Sequence, residues 1–120
     1  MTRAANGAQR SAPVTPRLRA TELAALHAIA SEACHLLKAL SNEVRLMLVC
    51  KLAEGEWSVG ELQSHVGLGQ SAVSQHLALL REHGVVSTRR AGQSVRYSLA
   101  SGQAAAVIKT LHDQFCDRRC

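Results

Sequence analysis

A chain of 120 residues, 47% apolar and 19% charged, has room for one folded domain with its own core and is no disordered polyelectrolyte. Fourteen Lys and Arg against nine acids give a net charge of +5, which points to an anionic partner such as nucleic acid. Only Trp57, Tyr97 and Phe115 are aromatic, so stacking of bases on an aromatic platform is nearly excluded.

Residues 1–20 carry Arg3, Arg10, Arg17 and Arg19 without an acid or apolar periodicity and read as a flexible basic tail. The tail lacks the apolar run of a secretory signal, and no stretch approaches the ~20 consecutive apolar residues of a membrane span. A cytoplasmic protein with reduced thiols is expected. Residues 21–120, the folded domain, hold ten bases (14 minus 4) against nine acids. Their net charge is only +1, so the position of the remaining bases matters more than their number.

Leu23, Leu26, Ala30, Ala33, Leu37 and Leu40 recur at alternating steps of three and four, which predicts one long helix from Thr21 to a break at Ser41-Asn42. A second helix runs through Val44, Leu46, Met47, Leu48, Cys50 and Leu52 and stops near Glu54-Gly55. Ser58 with Glu61 three residues later is a capping box opening a short helix to Val66. After Gly67-Leu68-Gly69, an amphipathic helix from Gln70 to His83 turns Ala72, Val73, Leu77 and Leu80 inward, and Gly84 ends it. Two short helices around a glycine turn are a helix-turn-helix signature. Two β-prone runs, 85–90 and 94–99, flank Ala91-Gly92-Gln93 and predict a hairpin. A last helix, about Gly102 to Asp117, gathers Val107, Ile108, Leu111 and Phe115 on one face. The fold class is mainly α with a small β-hairpin wing: a winged helix-turn-helix with helical flanks.

In this motif the second helix enters the major groove with its N-terminal residues toward the base edges. Those residues are Gln70, Ser71, Ser74, Gln75 and His76, all able to exchange hydrogen bonds with bases or phosphates, with no acid before Glu82. The wing adds Arg89, Arg90 and Arg96, with no acid between Gly84 and Ala100, for backbone or minor-groove contact. Taken singly, each polar residue fits a merely solvated surface equally well. The order of the elements favours double-stranded DNA as the partner.

The runs Leu37–Leu46, Ser58–Leu62 and Gln70–Leu77 resemble the ArsR family of bacterial repressors over roughly residues 30–116, most specifically in Ser71-x-x-Ser74-x-His76-Leu77. The resemblance implies a homodimer joined by its first and last helices, bound to an inverted-repeat operator and released by an effector. The family's metal-sensing branch places Cys-x-Cys where this chain has Ser58 and Gly60. A second family site needs carboxylates and histidines across the last helices, and His112-Asp113 has no further ligand one turn away. No metal and no cofactor is expected.

The cysteines, Cys34, Cys50, Cys116 and Cys120, contain no CxxC pair. By residue type alone Cys50 reads as a small core residue beside Leu46 and Val49. Arg118 and Arg119 favour a Cys116 thiolate, the carbonyl end of its helix disfavours it, and Cys120 stands one turn away as another partner. Cys34 lies at or beyond the edge of the leucine seam. The placement of Cys50 and Cys116 is similar to the persulfide-sensing branch of the family, which implies that reactive sulfur species are the effector and join these two thiols. Peroxide, heme or metal sensing, with His65, His83 and Cys116 for a heme, is the alternative. A thiol enzyme using His112 as base for Cys116, one turn apart, is the remote third, because no substrate pocket or nucleotide loop is recognisable.

Overall fold

The computed structural model describes residues 17–116, so positions 1–16 of the expected basic tail, and Asp117 and Cys120, lie outside the described residues. The chain divides into two compact units, residues 1–31 and 32–120. In the first, α1 (Ala20–Ala28) opens where the Arg19 N–H donates to the Glu22 carboxylate at 2.8 Å. It buries no residue, and Leu23 and Leu26 are exposed. The helix expected to run unbroken to Leu40 is in fact two. Ile29 leaves helical geometry (φ −113°, ψ 18°), its N–H closing a tighter turn onto Leu26 O, and α2 (Ala30–Leu40) restarts after it. A β-branched residue with no buried neighbours has little to hold it helical at that point.

The second unit carries the expected order of elements. Asn42 caps α3 (Glu43–Leu52) by accepting the Arg45 N–H at 3.1 Å. The capping box opens α4 (Val59–Val66) as expected: Ser58 Oγ accepts the Glu61 N–H at 3.2 Å and Glu61 accepts the Ser58 N–H at 2.8 Å. Gly67 ends it in left-handed geometry, φ 71°, which a Cβ would strain. The second helix of the pair, α5, spans Gln70–Glu82.

Trp57–Ser58 forms a short strand, β1, ahead of the wing strands β2 (Val86–Ala91) and β3 (Ser94–Leu99). Among the described residues the sheet is antiparallel in the order β1-β3-β2, with Trp57 opposite Tyr97 and Ser58 opposite Arg96. β1 was not expected, since two residues are too few to show an alternating pattern. Trp57 is anchored by donating its indole N–H to Lys51 O at 3.0 Å, with the Lys51 ammonium 4.2 Å from its ring centre.

Ser101 caps α6 (Gly102–Leu111), and residues His112–Cys116 continue as a π-helical turn rather than as the expected α-helix. The core joins Leu48, Val49 and Leu52 of α3 to Leu62, Val73, Leu77, Leu80, Val85, Val86 and Ala104. Ala72 is only half-buried, and Val107, Ile108 and Leu111 sit half-covered at the core's edge, while Phe115 is 61% exposed. Among the described residues no single helix is long and apolar enough to cross a membrane.

Candidate nucleic-acid interface and cysteine cavity

Burial of Val73, Leu77 and Leu80 fixes which side of α5 faces out. Gln70, Ser71 and Gln75 are exposed, and Ser74 is half-buried. The first turn contains no acid, so its unpaired backbone N–H groups and the positive end of the helix dipole face solvent unopposed. These are the features needed to take a phosphate or an adenine edge.

His76 is placed differently. It is half-buried, with Nδ1 3.4 Å from Nη1 of Arg45 on α3. Arg45 was not singled out from the sequence, because its partners come from two other helices, the end of α2 and α5, and no spacing rule connects them.

The wing arginines are less available than their local sequence implied. Arg89 and Arg96 stand directly opposite each other on β2 and β3, a like-charge pair imposed by the strand register. Glu56, just before β1, accepts hydrogen bonds from Arg89 Nε and Nη2, at 2.8 to 3.0 Å. Arg96 donates to Glu56 O at 3.3 Å and lies 3.5 Å from the Glu61 carboxylate. Hydrogen bonding from Arg89 holds the Glu56 carboxyl below its ordinary pKa, and the same contact raises that of Arg89. Glu61 is held low chiefly by the Ser58 N–H. Arg90 is exposed and makes no ion pair among the described residues. The acids were invisible to a reading of residues 84–100 because β1 brings them in from 33 and more positions upstream.

Cys50 and Cys116 line the same cavity, of about 630 Å³, together with Leu46, Ile108, Leu111 and Phe115. α3 supplies Cys50 and the π-helical turn after α6 supplies Cys116. The reading of Cys50 as a core residue does not hold: Val49 beside it is fully buried, whereas Cys50 is exposed and carries a free thiol. Partial burial among the apolar side chains nevertheless pushes the Cys50 thiol above its ordinary pKa. At the same cavity Asp113 is occupied by Lys109 at 3.1 Å and His112 at 3.6 Å, and Lys109 chiefly holds its carboxyl low. Cys34 on α2 is exposed and outside this lining. Among the described residues no three His, Cys, Asp or Glu side chains come together as metal ligands would.

Residues 42–88 match the family described as bacterial regulatory protein, arsR family. The chain is 51% identical over 87 residues to the biofilm growth-associated repressor of Xylella fastidiosa, covering 72% of this chain and 76% of that one. Its fold is similar to the crystal structure of the transcriptional repressor BigR from Xylella fastidiosa, with a TM-score of 0.73 and 48% identity over 76% of this chain and 93% of that one. The structure of reduced HlyU from Vibrio cholerae gives a TM-score of 0.72 and 47% identity over 76% and 96% of the two chains.

Proposed function

The chain belongs to the ArsR family of bacterial transcriptional regulators, and from that premise we propose that it is a dimeric repressor that leaves an inverted-repeat operator when reactive sulfur species join Cys50 to Cys116. The observation that carries this reading is the shared cavity. Two thiols 66 residues apart in sequence open onto one apolar space, between the helix that packs into the DNA-binding core and the helix expected at the dimer interface.

The chemistry needs no cofactor, because the persulfide is itself the oxidant. One cysteine thiolate takes the terminal sulfane sulfur of RSSH and displaces RSH. The second thiolate attacks the new Cys–S–SH and displaces hydrosulfide, closing the bridge. Two thiols and one RSSH become a disulfide, one RSH and one molecule of hydrogen sulfide. Where a second RSSH has first persulfidated the other cysteine, its attack closes a trisulfide instead. Two thiols and two RSSH then become Cys–S–S–S–Cys, two RSH and one molecule of hydrogen sulfide. A direct disulfide requires Cα atoms about 4.4–6.8 Å apart, and added sulfur atoms relax that limit. Distance is thus the filter that separates polysulfides from peroxide. The bridge ties α3 to the last helix and changes the spacing of the two recognition helices, whose half-sites lie about 34 Å apart.

DNA contact falls to Gln70, Ser71, Ser74 and Gln75 at base edges and to Arg89, Arg90 and Arg96 at the backbone or minor groove. The protein acts in the cytoplasm, where thiols stay reduced until the effector appears. Gel shifts of the reduced chain on the duplex upstream of its own gene, repeated after polysulfide, peroxide and zinc, test the reading. Polysulfide is expected to weaken binding about 5- to 150-fold, with a mass increase on a Cys50–Cys116 peptide that counts the inserted sulfurs. Cys50→Ser and Cys116→Ser are expected to stay bound, and release of either one by polysulfide removes the bridge from the mechanism.

A further inference from the structure

Arg45 joins three helices through one guanidinium. It projects from α3, donates from Nε to Ala39 O at 2.7 Å and from Nη2 to Lys38 O at 3.2 Å, and directs Nη1 at His76 Nδ1, 3.4 Å away. Lys38 and Ala39 belong to the carbonyl end of α2, where the last turn has no intrahelical donors left; Lys38 O also accepts from the Ser41 N–H and hydroxyl, at 3.3 and 3.1 Å. A guanidinium has donors and no acceptor, so His76 Nδ1 must accept.

His76 lies three residues after Val73 and next to Leu77, both fully buried, whereas Ser71 and Gln75 occupy the exposed side of α5. The apolar contacts of Val73, Leu77 and Leu80 hold α5 onto the core but are non-directional. The Arg45–His76 contact is directional, and it sits in the middle of the recognition helix.

We propose that Arg45 and His76 are positioning residues for operator binding: the Arg45 guanidinium fixes His76, and His76 fixes the rotation of the recognition helix about its own axis. His76 then reads no base. The inference rests on the operator-binding reading above and assigns a different role to one residue that the sequence placed at the DNA.

The test measures binding of the reduced full-length chain to the duplex upstream of its own gene and to a set of single-base-pair substitutions of that duplex. His76→Leu keeps bulk and removes the acceptor. His76→Asn returns a carbonyl oxygen close to the place of Nδ1. Arg45→Lys keeps the charge and loses the fork. His76→Leu and Arg45→Lys are expected to bind about tenfold more weakly on every duplex alike, and His76→Asn is expected to recover most of the wild-type affinity. If His76→Leu binds as tightly as the wild type, or if its loss is confined to one base pair, the positioning role is overturned; in the second case His76 is a base contact. The His76 pair decides the matter even if Arg45→Lys fails to fold. Wild-type protein that binds none of the duplexes overturns the operator reading itself, which separates that failure from failure of the Arg45–His76 link.

Discussion

Cys50 is exposed, and its thiol is nonetheless pushed above the ordinary cysteine pKa by partial burial. The sign decides its part in the proposed chemistry. A raised pKa keeps the thiol protonated at neutral pH and slow toward a dissolved oxidant. It suits the second step, where the attacked sulfur is already held beside it and proximity replaces intrinsic reactivity. Iodoacetamide labelling of Cys50 in a Cys34→Ser, Cys116→Ser background is expected to rise with pH around a midpoint above that of an unstructured cysteine peptide. A midpoint at or below the peptide's assigns the first attack to Cys50. That this cysteine is a candidate effector thiol was legible from sequence only through the family resemblance. Its residue type pointed to the core, and the turn of α3 that exposes it is set by Leu48, Val49 and Leu52, which take the buried side.

The elements of the helix-turn-helix were readable because their ends are written in local chemistry. Ser58 and Glu61 cap each other across three residues, and Gly67 takes the left-handed conformation that stops α4. Ser58→Ala is expected to lower stability by about 1 kcal/mol, measured by urea unfolding, and to leave the wing hairpin's register intact. An unchanged midpoint means that the box contributes nothing to holding α4. The seam Leu23–Leu40 predicted the helical state of residues 20–40 but not the interruption at Ile29. Periodicity records which residues are apolar, and α1 buries none of them in the protomer, so nothing enforced continuity. At the other end, Phe115 shares the spacing of a core face yet stands 61% exposed beside the cavity, where α6 gives way to the π-helical turn.

At the scale of the whole molecule, charge is distributed by tertiary contacts rather than by sequence neighbourhood. Glu56 occupies Arg89 with the geometry a phosphate would adopt, and Glu61 and the Glu56 carbonyl occupy Arg96. Glu56→Gln frees Arg89 for the DNA backbone. It is expected to tighten operator binding at low salt and to steepen the slope of log K against log salt by about one unit. Glu54→Gln, whose carboxylate pairs with Lys51 rather than with a wing arginine, is the control expected to leave the slope unchanged. An unaltered slope in Glu56→Gln means that Arg89 serves only to pin the wing to β1, leaving Arg90 as the backbone contact.

What the sequence determined by itself was local: the capped helices, the glycine turns, the hairpin, the buried side of α5 and hence the exposure of Gln70 and Ser71, whereas Ser74, expected to face outward with them, is half-buried. Each follows from short-range spacings, over which backbone geometry leaves little choice. The tertiary structure alone decided that Cys50 and Cys116 share a cavity, that Glu56 and Glu61 reach the wing, and that Arg45 meets His76. These contacts join residues 31 to 66 positions apart in the chain. Packing of the core around Leu48, Leu62 and Leu77 creates them, and no short-range pattern in the sequence encodes the distance it closes.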